Sequence, residues 1–155
     1  MGGQARILVV DDDEDIRKVL KTVLEGSGYV VETARSGKEA IRKSKSFRCN
    51  VVLLDVRLSD IAGTELLTRL RETTPRMRKV IMTGYPTLQN AVEAVNGGAD
   101  AYMMKPLEME NVLKTIKEQL RAQEKEIRYS QEKVTDFVET RVRELEQVKK
   151  IPRQK

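Results

Sequence analysis

The chain has 155 residues, which is enough for one domain of ordinary size and a further segment. It carries 29 Lys and Arg against 24 Asp and Glu, and because the two signs are mixed along the chain, the net charge of +5 does not indicate a nucleic-acid-binding surface. The single cysteine, Cys49, excludes an internal disulfide, and the absence of histidine excludes most zinc sites and the serine or cysteine catalytic triads.

Short apolar runs rich in β-branched residues predict five strands. They lie at residues 6–10, 29–33, 50–54, 79–82 and 101–104. The first and third runs are continuously apolar instead of alternating, which is typical of strands buried on both faces in the centre of a parallel sheet.

Segments with helical apolar spacing separate these strands. Four helices are expected: the first stops at Gly26-Ser27-Gly28, and the others lie at about residues 37–45, 63–72 and 87–96. The apolar face of the first holds Ile16, Val19, Leu20, Val23 and Leu24. The predicted inward residues of the third are Leu66, Leu67 and Leu70, and those of the fourth are Leu88, Val92 and Val95. Regular alternation of strand and helix predicts an α/β fold with helices on both faces of a parallel sheet.

A fifth helix is expected from about residue 110, because neither Gly nor Pro occurs between Leu107 and Ile151. We expect residues 1–120 to form the main domain and residues 121–155 to form a charged helical extension. No apolar run is long enough to span a membrane and no signal peptide precedes the first strand, so we expect a cytoplasmic protein.

The fifth helix carries half of a heptad pattern. A seven-residue spacing, interrupted at Arg141, links Leu113, Leu120, Ile127, Val134 and Val148, and its companion positions hold Ile116, Gln123, Ser130, Phe137 and Glu144. Apolar residues in a shifted phase follow at Val138, Val142 and Leu145. The pattern predicts a dimerising coiled coil or a signalling helix, and the alternatives are a solvated tail and a linker to a further domain.

Polar side chains follow four predicted strands at the points where those strands end. These are Asp11-Asp12-Asp13, Asp55, Thr83-Gly84 and Lys105-Pro106. In open parallel sheets, ligands bind beyond the carboxyl ends of the strands. Carboxylate oxygens suit Mg²⁺, a carboxylate can accept a phosphoryl group, and a lysine and a hydroxyl can neutralise that group. The combination predicts a phosphoryl-transfer site, although Asp13 alone would also suit a helix N-cap.

The same segments resemble the motifs of a known family, the receiver domain of two-component response regulators. The matching residues are 7–12, 51–55 with Gly63 eight residues on, 80–84 and 98–106, and the resemblance covers residues 5–120. It implies a flavodoxin-like, doubly wound five-stranded sheet in the order 2-1-3-4-5, as in the chemotaxis regulators.

The resemblance also implies a set of roles. Asp55 would accept a phosphoryl group from a phosphohistidine of a sensor histidine kinase or histidine phosphotransfer protein, a separate chain because this one has no histidine. Mg²⁺ would be held by Asp11, Asp12, Asp55 and the main-chain carbonyl of Arg57. Thr83 and Lys105 would bind phosphoryl oxygens, with a cis peptide between Lys105 and Pro106. Thr83 would then move and let Tyr102 turn inward, which would change the face offered to a downstream protein.

The sequence departs from the family in the loop after Asp55. Leu58-Ser59-Asp60 stands where Met-Pro is common. Arg57 and Tyr85, two residues beyond Asp55 and Thr83, are both large, and we expect them to hinder attack by water and to prolong the phosphorylated state.

The sequence also has features of three other classes of protein. The spacing Asp11-x-Asp13 is similar to that of haloacid-dehalogenase-type phosphatases, in which the first aspartate, here Asp11, is the nucleophile, but no cap insertion is present. An EF-hand starting at Asp11 fails because Ile16 and Thr22 occupy its required Gly and Glu. A mainly structural coiled-coil protein would need no strand-end site.

We expect a phosphoacceptor with at most self-catalysed phosphotransfer and autodephosphorylation, and not a classical enzyme. No direct nucleic-acid binding is expected, and a homodimer through the last helix is an open expectation. Cys49, next to the third strand, is expected to pack as a small apolar residue.

Overall fold

A computed structural model describes residues 3–70, 72–73, 75–84 and 87–150. Five strands form one parallel sheet in the order β2-β1-β3-β4-β5: β1 (Arg6–Val10), β2 (Val30–Ala34), β3 (Val51–Asp55), β4 (Arg78–Thr83) and β5 (Ala101–Met104). Helices follow the strands in turn: α1 (Glu14–Gly26), α2 (Gly37–Ser46), α3 (Gly63–Arg69), α4 (Leu88–Asn96) and α5 (Met109–Lys150). The predicted flavodoxin-like fold and its strand order are confirmed.

The two central strands are buried on both faces, as their continuous apolar runs predicted. Side chains of β1 and β3 alternate between two core clusters, so that Leu8 and Val52 belong to one cluster and Ile7 and Val51 to the other. The helices α2 and α3 cover the first cluster, and α1 and α5 cover the second. This double covering places the strand ends, and the polar loops that follow them, at the edge of the core.

The predicted inward face of α4 is wrong. Leu88 is 83% exposed, Val92 49% and Val95 71%, whereas Ala94 is fully buried. The helix has two faces without charged residues. The face with Ala94 packs on the core because a small side chain lets the helix lie closer to the sheet. A second difference lies in α1, where Val19 is 48% exposed beside the buried Leu20 and Leu24.

The third helix is shorter than expected. It ends at Arg69 instead of residue 72, because Leu70 adopts an extended backbone with ψ of 140°. Leu70 is nevertheless buried in the first core cluster, together with Leu66 and Leu67, as its sequence position predicted. The bounds of the strands differ from the expected ones by one residue at most.

The chain divides into two compact units between Gln123 and Glu124. In the first unit, Leu113, Ile116 and Leu120 of α5 pack on the second core cluster, and Gln123 is buried. The first turns of α5 thus pack on the chain's own sheet, so the heptad spacing that starts at Leu113 does not serve a second helix there. The functional division after residue 120 stays a prediction.

The second unit consists of helix alone in its described part, and every residue from 128 to 149 is exposed. Its exposed apolar side chains are Tyr129, Val134, Phe137, Val138, Val142, Leu145 and Val148. Within the described ranges, no helix combines the length and the apolar content that crossing a membrane requires.

Candidate functional site

The residues that follow β1, β3 and β5 are held in place by hydrogen bonds that continue the sheet ladder. Asp11 N donates to Ala34 O at 3.1 Å, Val56 N to Met82 O at 3.1 Å, and Lys105 N to Thr83 O at 2.7 Å. The first residues beyond each strand therefore keep the spacing of the sheet. Their side chains are brought to one edge although the chain separates them widely.

Three carboxylates and one ammonium group meet at this edge. Oxygen atoms of Asp11, Asp12 and Asp55 lie within 4.8 Å of one another. The Lys105 Nζ atom donates to Asp11 Oδ2 at 2.8 Å and to Asp55 Oδ2 at 3.2 Å. Asp11 and Asp55 are buried whereas Asp12 is exposed, so the cluster is open to solvent on one side only.

Burial raises the pKa of Asp55 above its usual value, and the negative charge of Asp11 acts in the same direction. The Arg57 amide, which donates to Asp55 Oδ1 at 3.2 Å, and Lys105 oppose this shift without cancelling it. Burial lowers the pKa of Lys105. Hydrogen bonding and attraction to Asp11 and Asp55 outweigh this effect, so the pKa of Lys105 lies above its usual value. Lys105 therefore stays protonated, and one cation faces three carboxylates.

The donor set fits a hard divalent cation such as Mg²⁺. The three aspartates offer oxygen atoms only, and the cluster carries more negative charge than Lys105 can balance. Burial is the main cause of the raised pKa of Asp55, and a cation there would stabilise the ionised carboxylate against both burial and the charge of Asp11. The residues present are thus suited to hold such an ion.

Asp11 is poorly placed to act as a nucleophile. It is fully buried, its Oδ1 accepts the Asp13 amide at 2.9 Å, and its Oδ2 accepts Lys105. Its main-chain oxygen also accepts a hydrogen bond from Arg17 at 2.7 Å. The environment of Asp11 therefore speaks against the phosphatase alternative, in which this residue would attack the substrate.

Asp13 lies outside the cluster and caps α1. Its Oδ1 accepts the amides of Asp15 at 2.9 Å and Ile16 at 3.2 Å. These bonds satisfy two of the amides that an α-helix leaves free at its start. Asp11 and Asp12 therefore belong to the cluster, and Asp13 is the N-cap of α1, the role for which the sequence also made it suitable.

The fourth strand ends in a buried hydroxyl followed by an open position. Thr83 is 1% exposed and pairs with Met104 across the sheet. A Cβ atom added to Gly84 would lie 4.0 Å from the Cβ atom of Lys105, an ordinary contact distance. Tyr85, for which a role in excluding water was predicted, lies outside the described residues. The Lys105–Pro106 peptide bond is cis.

Tyr102 lies on β5 opposite Ile81 and packs against the first core cluster. Its hydroxyl group is buried, and no residue in the part of the chain that the structure describes forms a hydrogen bond with it. Tyr102 is thus already directed inward here, and the predicted movement on phosphorylation stays a prediction.

An apolar groove adjoins the cluster, which the sequence did not single out. It has a volume of about 290 Å³ and is lined by Asp15, Ile16, Val19, Leu20, Lys105, Pro106, Leu107 and Met109. Val19 is the residue that could have indicated this groove. The apolar face of α1 includes Val19, but only Leu20 and Leu24 of that helix are buried in the core, so part of the apolar face stays exposed.

Cys49 is buried, and burial raises the pKa of its thiol to about 12. A thiol with such a pKa is almost entirely protonated at neutral pH and is a poor nucleophile. The geometry agrees with the expectation that Cys49 packs as a small apolar residue.

Comparison with known proteins gives one family. The model of the response regulator receiver domain matches residues 7–117. Among curated proteins, the chain is 37% identical over 119 residues to the transcriptional regulatory protein ZraR of Klebsiella oxytoca and 36% identical over 116 residues to the response regulator MprA of Mycolicibacterium vanbaalenii. These alignments cover 77% and 75% of this chain, but only 27% of ZraR and 50% of MprA.

Solved structures give the same result. A CheY-like receiver domain protein from Methanospirillum hungatei is 44% identical, with a TM-score of 0.77 over 80% of this chain and 99% of the other. The chemotaxis protein CheY4 of Vibrio cholerae is 30% identical, with a TM-score of 0.72 over 76% of this chain and all of the other. The similarity thus extends over nearly the whole length of these two structures.

Proposed function

The chain belongs to the response regulator receiver domain family, and on that premise we propose that it is a signalling switch that accepts a phosphoryl group on Asp55. The observation that carries the proposal is the cluster of Asp11, Asp12 and Asp55 beside the Lys105 ammonium. It combines an oxygen nucleophile, a set of ligands for a cation and a fixed positive charge, which phosphoryl transfer requires.

In the proposed reaction, an Asp55 oxygen attacks the phosphorus atom of a phosphohistidine on a kinase or phosphotransfer protein. The new O–P bond replaces the P–N bond, and the imidazole leaves with a proton from solvent. Lys105 and Thr83 bind the oxygens of the transferred group. Mg²⁺, held by Asp11, Asp12, Asp55 and the carbonyl oxygen of Arg57, would neutralise charge on the phosphoryl oxygens.

The donor protein has to reach Asp55 from the exposed side of the cluster. The groove lined by Ile16, Val19, Pro106 and Leu107 offers an apolar contact surface that includes Lys105 itself. A helix of the donor that packs in this groove would bring a phosphohistidine to the site, and we place the kinase contact there. A cytoplasmic location belongs to the same proposal, and the reduced Cys49 is compatible with it.

The output surface is proposed to lie on α4 and β5. These two elements carry exposed apolar side chains at Leu88, Val92, Val95 and Met104, and β5 also carries Tyr102. A downstream protein that packs on these side chains would be sensitive to the position of Tyr102. ZraR is a transcriptional regulatory protein by name, so the expectation that this chain binds no nucleic acid stays a prediction.

Phosphorylation of Asp55 is tested with a small phosphodonor, acetyl phosphate, and Mg²⁺. We expect the intact mass to increase by one phosphoryl group, and we expect Asp55→Asn to abolish the increase. Asp13→Asn is the matched control, since Asn also caps helices and Asp13 lies outside the cluster. Phosphorylation that persists in Asp55→Asn, or that needs no divalent cation, would contradict the proposal.

A homodimer through the extension is a second proposal. In residues 124–149, Val134, Val138, Val142, Leu145 and Val148 follow one another at spacings of three or four residues, and all are exposed. An isolated helix of this length is marginal in water, and a second copy offers a face of the same spacing.

The dimer is tested by light scattering, with and without beryllofluoride and Mg²⁺. We expect Val138→Lys to give a monomer and the matched variant Thr140→Lys, which places the same charge on another face of the helix, to leave the mass unchanged. A wild-type chain that is monomeric under all these conditions would exclude the dimer and leave the phosphoacceptor proposal intact.

A further inference from the structure

The loop between β3 and α3, residues 56–62, is tied to a helix that precedes it in the chain. Asp60 Oδ1 accepts the Gly37 amide at 2.9 Å, and Asp60 Oδ2 accepts the Lys38 amide at 2.9 Å. Both amides belong to the first turn of α2, where an α-helix leaves its N–H groups without partners. The hydrogen bonds from Lys38 and Gly37 accordingly lower the pKa of Asp60.

Gly37 provides the space for this approach. A Cβ atom at position 37 would collide with a methyl group of Ile61 and would lie 3.2 Å from Asp60 Oδ1. The two loop residues thus pack directly on the backbone of α2. Gly37 has no positive φ, so the position requires glycine for space and not for an unusual backbone conformation.

The other part of the loop is joined to the phosphoacceptor. Arg57 and Ala62 form an antiparallel bridge, and Gly63 N donates to Val56 O at 2.8 Å. The Arg57 amide donates to Asp55 Oδ1 at 3.2 Å. Because the bridge closes the loop into a short ring of residues, a shift of Asp60 displaces Arg57 as well.

We infer that Asp60 is a positioning residue for the phosphoacceptor site. By holding the loop on α2, it keeps the Arg57 amide on Asp55 and keeps the Arg57 carbonyl available to the metal ion; this second part rests on the proposed function. The chain has Leu58-Ser59 where a proline is common in the family, so the backbone lacks the restriction that a proline ring imposes. The two hydrogen bonds of Asp60 supply a restriction of a different kind.

The inference is tested by comparing Asp60→Ala with Ser36→Ala in the full chain. Ser36 Oγ caps the same helix by accepting the Glu39 amide at 3.1 Å, but among the described residues the Ser36 side chain bonds to α2 and not to the loop. Both variants remove a cap of α2, and we expect both to lower the unfolding temperature. Only Asp60→Ala is expected to weaken Mg²⁺ binding, by about tenfold, as measured by calorimetric titration of the unphosphorylated protein with MgCl₂.

Two further variants keep the test decisive if Asp60→Ala does not fold. Gly37→Ala, which pushes on the loop from the opposite side, is expected to weaken Mg²⁺ binding as Asp60→Ala does. Asp60→Asn retains one acceptor oxygen and is expected to recover part of the affinity. The Arg57 amide resonance should shift in metal-free Asp60→Ala and Gly37→Ala, and should stay in place in Ser36→Ala.

The outcomes separate the two proposals. If the wild type binds Mg²⁺ and Asp60→Ala binds it as tightly as Ser36→Ala does, the positioning role is refuted and the proposed function stands. If the wild type binds no Mg²⁺ at all, the proposed function is refuted and the inference is refuted with it. Tenfold weaker Mg²⁺ binding in Asp60→Ala and in Gly37→Ala, together with the shift of the Arg57 amide resonance, establishes the positioning role of Asp60.

Discussion

Polar groups are buried at both ends of the sheet, but they are balanced in different ways. At the amino ends of the strands, the Gln123 side chain accepts a hydrogen bond from Asn50 Nδ2 at 2.9 Å and donates to the carbonyl oxygens of Asn50 at 3.1 Å and Arg76 at 2.8 Å. Nearby, Asp100 forms ion pairs with Arg76 at 2.9 Å and Arg78 at 3.5 Å. The carboxyl ends, by contrast, place three aspartates around one lysine.

The difference distinguishes a structural network from a binding site. At the amino ends, the Gln123 carboxamide forms its hydrogen bonds within the chain and holds α5 on the sheet, and Asp100 is paired with arginines. This arrangement leaves no excess negative charge for a cation to bind. At the carboxyl ends, burial and the neighbouring charge of Asp11 raise the pKa of Asp55, so ionised Asp55 costs stability in the metal-free protein. Groups kept in an unfavourable arrangement are the ones that a ligand can stabilise.

The largest effect is expected from removing the cation of the carboxyl end. Lys105→Met should lower the rate of Asp55 phosphorylation by acetyl phosphate by about 10²-fold or more, because a fixed charge on the transferred group is lost. Lys79→Met is the matched control, since Lys79 is also partly buried but donates to Leu67 O at 2.7 Å, away from the cluster. Equal rates for the two variants would show that Lys105 serves only to hold the carboxylates together.

An effect on stability alone is expected at the amino end. Gln123→Ala removes the acceptor of Asn50 Nδ2 and the donor that serves the carbonyl oxygens of Asn50 and Arg76, so the free energy of unfolding should fall by about 1–3 kcal/mol in urea titration. The exposed Gln131, on the same helix, is the control, and Gln131→Ala should change it by about 0.5 kcal/mol or less. Mg²⁺ affinity should be unchanged in Gln123→Ala; a loss of affinity would show that the two ends are coupled.

The smallest effect is expected in the pH dependence of stability. Because the folded pKa of Asp55 is raised, the native state binds more protons than the unfolded state between the usual carboxyl pKa and the folded one, and stability falls as pH rises through this window. Asp55→Asn should therefore unfold at a higher temperature than the wild type at neutral pH without metal. The advantage should vanish at pH values below both pKa values.

Asp60 provides the control of opposite sign for this pH series. Its folded pKa is lowered, so its contribution to stability is present at neutral pH and is lost as pH falls through that pKa. Asp60→Asn should consequently be less stable than the wild type at neutral pH, and should approach it in acid. If Asp55→Asn were less stable than the wild type at neutral pH, as Asp60→Asn is expected to be, the stability cost assigned to ionised Asp55 would be wrong.

Most of the fold was predictable because local sequence and burial agree. The apolar runs of β1 and β3 are buried on both faces, and a continuous run has few other ways to hide its side chains. The cluster was predictable for a related reason, since parallel strands bring their carboxyl ends to one edge and Asp11, Asp55 and Lys105 each follow a strand.

Two surfaces were not predictable. The inward face of α4 was wrong because the helix has both a face of large apolar residues and a face with Ala94, and periodicity alone cannot say which one meets the core. The start of a seam on α5 was not predictable from the heptad spacing alone, because Leu113, Ile116 and Leu120 have the same spacing whether they pack on a sheet or on a second helix.

The sequence by itself therefore determined the order of the elements, the strands at the centre of the sheet and the residues that follow each strand. These depend on short-range patterns of apolar and polar residues. Only the tertiary structure decided that Lys105 bridges Asp11 and Asp55 and that Asp60 caps α2. The same is true of the hydrogen bond between the buried Gln123 side chain and Asn50. Each of these contacts joins residues far apart in the chain, and such pairings are specified by the packing of whole elements, which no local pattern contains.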